Sequence, residues 1–130
     1  MNMRDMCERY EAMEWPQQLG NLASTLARVS ARASSPQYDT LVADLLHEAA
    51  LLIEWSTPHV PSLFWLELAA MQREVLAWRR LWPLDPARSL LALHTRNQSD
   101  RLLQMAGLVG DEAGSREVGG QNDRTTSNGR

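Results

Sequence analysis

Chemistry in a small protein is carried by histidine, cysteine and clustered carboxylates, and this chain has three histidines and one cysteine in 130 residues. Asp44 and His47 stand three apart, which places both on one face of a helix, as in carboxylate-bridged di-iron bundles. Such bundles need two of these pairs and further glutamates from other helices, and only one copy occurs here. On a helical wheel the pair also lies opposite the stripe of Tyr38, Leu45 and Leu52, so its expected neighbour is water. Cys7 has no second cysteine to pair with and no Cys/His spacing suited to zinc. Asn97-Gln-Ser99 matches a glycosylation sequon, which carries no meaning in a cytosolic helix. No cofactor motif is present, so the expected cofactor is none.

A more pointed set is His94, Gln98 and Arg101, spaced on one side of the last helix beside Ala87, Leu90, Leu91, Leu102 and Met105. Polar groups on a face built for burial need partners, because an unpaired buried donor costs roughly 1–3 kcal/mol. Glu67 or Glu74 of the preceding helix can supply one. The expectation is a buried polar cluster whose hydrogen bonds are satisfied within the fold.

The same helix begins Arg88-Ser89-Leu-Leu-Ala-Leu-His94. This run resembles the arginine, polar residue, four residues, histidine motif of HEPN-domain ribonucleases, which are small helical bundles. It covers seven residues, with Ser89 where Asn, Asp or His is commoner. The resemblance implies metal-independent RNA cleavage, with Arg88 positioning phosphate and His94 transferring a proton.

Composition narrows the remaining classes. The formal net charge is -3, and all thirteen basic residues are arginine, a usage that arginine-rich codon preference explains. A mildly acidic total disfavours nonspecific phosphate binding, which clustered positive charge drives, although Arg79, Arg80, Arg88, Arg96 and Arg101 gather in one region. Nucleic acid is therefore an expected partner only under the ribonuclease alternative. Arg4, Asp5, Glu8 and Arg9 interrupt any apolar signal segment. His47, Glu48, Glu54, Glu67, Arg73 and Glu74 likewise break the richest apolar stretches. With a lone thiol and no membrane segment, the expected location is the cytoplasm.

The period of the apolar residues is helical throughout, and prolines at 16, 36, 58, 61, 83 and 86 divide the chain into helix-sized pieces. The pattern predicts an all-α, antiparallel up-and-down bundle of four main helices, near 16–33, 37–55, 62–82 and 86–106, after a short amphipathic helix over 3–14. Leu26, Leu45, Met71, Val75 and Leu102 are expected inside. Gly20, Ala23 and Ala27 form a small flank that lets a neighbouring helix come close. The third main helix carries two apolar stripes. One holds Phe64, Leu68, Met71, Val75, Trp78 and Trp82; the other holds Leu63, Leu66, Ala70, Ala77 and Leu81. Apolar on two sides, it is expected at the centre. Residues 1–109 thus form the predicted bundle domain, and 110–130, with almost no apolar side chains, a disordered tail.

Five tryptophans are many for this length. Trp78 and Trp82 fall on the main stripe and read as core. Trp55 and Trp65 lie off the main stripes together with Leu51 and Leu76, which suggests an interaction surface, unless the additional helix covers them. With no complete catalytic set, the chain reads as a non-enzymatic, self-associating helical interaction protein, adaptor or regulatory, whose partner is another protein or a second copy of itself.

Overall fold

The computed structural model describes residues 2–108; the expected tail and the last position of the expected domain lie outside the described residues. Five helices follow one another: α1 (Met3–Glu11), α2 (Trp15–Arg32), α3 (Asp39–Ser56), α4 (Trp65–Leu81) and α5 (Arg88–Met105), with no strand among the described residues. Residues 3–33 are therefore two helices, separated at 12–14. Asn2 caps α1 by accepting the Asp5 amide at 2.8 Å. Pro16 sits in the first turn of α2, and single 3₁₀ turns at Pro36–Tyr38, Ser62–Phe64 and Asp85–Ala87 lead into α3, α4 and α5. Proline suits these places because its fixed φ fits a first turn and its missing N–H is not needed there.

The four long helices run antiparallel in the order α5, α2, α3, α4, and Leu19, Leu22, Leu26, Leu46, Ile53, Leu68, Leu91 and Leu102 fill the space between them. Leu45, Met71 and Val75 are buried as well, so all five residues expected inside are found there. α2 and α5 make the closest pair. Ser99 Oγ donates to the Ala23 carbonyl at 2.8 Å and Ser30 Oγ to the Ala92 carbonyl at 2.7 Å, contacts possible only where two helix backbones nearly touch. The small flank of α2 serves this approach in part: Ala23 is buried and a side chain at Gly20 would press on Leu108, whereas Ala27 faces outward.

α1 lies across α2 and α3 and is fastened by one reciprocal pair. Tyr10 Oη donates to the Gln18 carbonyl at 2.6 Å, and Gln18 Nε2 donates back to the Tyr10 carbonyl at 3.0 Å. The Tyr10 ring is buried and meets Trp55 with centroids 6.1 Å apart.

The expected central position of α4 is corrected by the structure. α4 packs on α3 and reaches α5 through long side chains, so it is an edge helix. Only its main stripe is buried; Leu63, Leu66 and Leu81 of the second stripe stand in the open at 78%, 86% and 61% exposure. The rotational setting of α5 also differs from the expected one. Leu91, Thr95, Gln98, Ser99, Leu102 and Met105 are buried and Leu90 is exposed. Thr95 and Ser99 can enter the core because their hydroxyls donate to the carbonyls of Leu91 and Ala23.

Candidate functional site

Where α4 and α5 face each other, charged and amide side chains stand in place of a hydrophobic seam. Arg101 grips Glu67 with two parallel bonds, Nε to Oε2 at 2.7 Å and Nη2 to Oε1 at 3.0 Å, and its guanidinium lies 5.8 Å from the centre of the Phe64 ring. Two turns along, Glu74 Oε1 accepts Gln98 Nε2 at 3.0 Å and stands 3.1 Å from His94 Nε2. His94, Gln98 and Arg101 thus do face one helix and do find Glu67 and Glu74. Of the three, Gln98 alone is buried; His94 and Arg101 are partly open to solvent. Ala70 and Asn97 complete a shallow groove over this seam.

The leucines that the core leaves out frame this groove. On α4, Leu66 immediately precedes the seam residue Glu67, and on α5, Leu93 immediately precedes His94. One residue back on a helix is a turn of about 100°. Because α4 and α5 run in opposite directions, those two rotations bring both stripes to the same outer side of the pair. Leu63 and Leu66 then stand near one end of the face, with Leu81, Leu90 and Leu93 toward the other.

Arg88 sits elsewhere. Its Nη1 and Nη2 donate to the two carboxylate oxygens of Asp39 at 2.7 and 3.0 Å, its Nε to Asp85 Oδ1 at 2.8 Å, and Nη1 also to the Ala33 carbonyl at 3.1 Å. The guanidinium further lies 5.0 Å from the centre of the Trp82 ring. The side chain thereby ties the start of α5 to the end of α2 and the start of α3. The Arg88 hydrogen bonds hold Asp39 below the usual carboxylate range, and Asp39 and Asp85 raise the arginine further above its ordinary value. Six residues separate Arg88 from His94, about 9 Å along the axis and roughly 120° around it. The structure therefore gives the two residues of the ribonuclease-like motif different partners on different faces.

The other expected surface divides as well. Trp55 is partly buried and turned toward Tyr10 of α1, and Leu51 is partly buried. Trp65 and Leu76 are exposed, with the Trp65 Nε1 donating to the Val60 carbonyl at 2.8 Å. Trp65 lines a groove with Glu54 and Pro58 of the preceding segment. Asp44 and His47 are exposed, and among the described residues no three His, Cys, Asp or Glu side chains gather to hold a metal. A groove of about 400 Å³ between α1, α2 and α3 is lined by Met6, Arg9, Tyr10, Arg28 and Glu48, the last accepting Thr25 Oγ1 at 3.0 Å. Cys7 donates weakly to Glu11; desolvation and then the Glu11 carboxylate push its thiol above the ordinary value, which makes it a poor nucleophile.

No described helix is long and apolar enough to cross a membrane. No family model, curated protein or solved structure matches the chain.

Proposed function

We propose that this chain is a non-enzymatic helical interaction protein of the cytoplasm that self-associates through the outer face of α4 and α5. The observation that carries the reading is the set of five leucines, 63, 66, 81, 90 and 93, each more than half exposed on one side of two adjacent helices. Scattered exposed leucines are ordinary, but a framed patch of them marks a contact surface.

A second copy is the occupant that suits this face. A two-fold axis through its middle sets Leu63 and Leu66 of one chain against Leu81, Leu90 and Leu93 of the other, with small Ala70 and Ala77 allowing approach near the axis. Exposed Arg73 and Arg80 lie on α4, with Arg80 at the opposite end from exposed Asp100 of α5, so the same rotation pairs unlike charges. Nineteen positions at 1.5 Å by two helices about 10 Å wide give a footprint of roughly 27 by 20 Å. With side-chain relief this approaches the ~800 Å² per partner of a standard specific interface.

The test compares Leu66→Glu/Leu93→Glu with Leu76→Glu, which lies off this face, by light scattering on full-length protein at micromolar concentration. The double variant is expected to run as a monomer with unchanged helical circular dichroism, and Leu76→Glu to match the parent. Association that survives the double variant would assign the contact elsewhere.

A further inference from the structure

Away from the leucine face, α1 overhangs the seam between α2 and α3 and closes one side of the groove of about 400 Å³, a volume within the range of small-molecule sites. Its apolar part is Met6 and Met13 of α1, the Tyr10 ring and Leu52 of α3. Tyr10 and Leu52 are buried and the two methionines half-buried. The floor is therefore fixed, while the flexible thioether chains can adjust to what lies on it.

The rest of the lining carries charges of both signs. Glu48 is half-buried, and its Oε2 stands 3.0 Å from Thr25 Oγ1, which also lies 3.2 Å from the Asn21 carbonyl. A hydroxyl has one proton to give, so the carboxylate holds at most a share of it. Arg28 follows Thr25 by three positions, about 4.5 Å along α2, and helical side chains lean toward the N-terminus, here back toward Glu48. Neither Glu48 nor Arg28 makes an ion pair among the described residues. Arg9 brings a second positive charge from α1. Asn21 Nδ2 donates to the Met13 sulfur at 3.1 Å, a weak acceptor that a carboxylate displaces.

A ligand with only a carboxylate would meet Glu48 as a like charge, and one with only an amine would meet two guanidinium groups. A molecule with an ammonium and a carboxylate on neighbouring carbons suits both signs, and an apolar chain on the same carbon falls on the methionine side. We propose that this groove binds a free α-amino acid with a large apolar side chain, its ammonium against Glu48, its carboxylate against Arg28 and the Asn21 amide, and its side chain against Met6, Met13 and Leu52. The groove shares no residue with the outer face of α4 and α5, so the site is read on monomer and dimer alike.

The experiment titrates full-length protein with L-phenylalanine, L-leucine and glycine by calorimetry, beside N-acetyl-L-phenylalanine, which lacks the ammonium, and phenethylamine, which lacks the carboxylate. Phenylalanine or leucine should saturate one site per chain below about 1 mM, with glycine and both phenylalanine analogues at least tenfold weaker. Glu48→Gln, whose amide oxygen still accepts from Thr25, and Arg28→Gln should each weaken binding at least tenfold while the helical circular dichroism is kept. No binding of phenylalanine or leucine at millimolar concentration, analogues that bind as tightly as phenylalanine, or affinity undiminished in both variants would each overturn the proposal.

Discussion

Replacing Tyr10 with phenylalanine removes one oxygen from the joint that holds α1 to the bundle. The ring is 3% exposed and its hydroxyl donates at 2.6 Å to the Gln18 carbonyl. A carbonyl has two lone pairs, and within α2 this one has a helical amide as well; the Ser56 hydroxyl, which also meets the phenol, keeps the Ile53 carbonyl at 3.3 Å, so the main loss is the bond to Gln18 and no acceptor is orphaned. That amounts to about 1 kcal/mol, which for a folded region of about 100 residues lowers Tm by roughly 4–8 °C. Tyr10→Ala, which also empties the site against Trp55, should cost about 3–5 kcal/mol, as for other large aromatic truncations. Burial disfavours the phenolate and lifts the Tyr10 hydroxyl well above its ordinary value, with the Ser56 hydroxyl offsetting part of the shift. The folded state therefore holds this proton more tightly than the unfolded chain. The tyrosine's contribution is intact below the ordinary value near 10 and is lost as pH rises beyond it. Urea melts at pH 7 and at pH 9 to 11 measure both effects. The phenylalanine variant should start lower and show a shallower alkaline decline; equal midpoints at pH 7 together with parallel declines would refute the account of α1 attachment.

The same architecture makes two other expectations. Leu45, 2% exposed between α3 and its neighbours, should cost about 2–5 kcal/mol when changed to alanine, read from the urea midpoint; a change near zero would mean that the α3 face is misassigned. Asp39, held below the usual carboxylate range by Arg88, contributes stability above the ordinary value near 4 that is lost as pH falls through its lower folded value. Arg88→Ala should therefore melt earlier at pH 7 and flatten the acid decline between about pH 4 and pH 2, and RNA cleavage abolished by this variant without any loss of stability would instead support the ribonuclease-like reading.

The helices were legible because proline placement and apolar spacing are local signals. Pro16, Pro36 and Pro86 stand at or just before helix starts, and the Phe64, Leu68, Met71, Val75 stripe does face inward. The polar seam was legible in outline, since three polar side chains beside Leu91 and Leu102 demanded partners that Glu67 and Glu74 provide. What escaped depends on contacts distant in sequence. Nothing local links Tyr10 to Gln18 across the interhelix joint, or Arg88 to Asp39, 49 positions away. The burial of Ser99 likewise rests on the Ala23 carbonyl, 76 positions away in the sequence. The second stripe of α4 read as burial for a related reason. Apolar spacing reports that a face is kept from water and not which molecule covers it, and here the chain's own helices do not.

That uncovered face makes the mass of the protein in solution the most direct measurement. Sedimentation equilibrium on the full chain, over a loading range from about 1 to 200 μM, should show a mass rising from the 14.7 kDa monomer toward twice that value, fitting a single monomer–dimer equilibrium. Leu66→Glu/Leu93→Glu replaces four leucines per dimer with carboxylates, and at about 1.5 kcal/mol for each lost burial the association should weaken by at least a hundredfold. A mass of 14.7 kDa at every concentration for the unmodified chain would contradict the account.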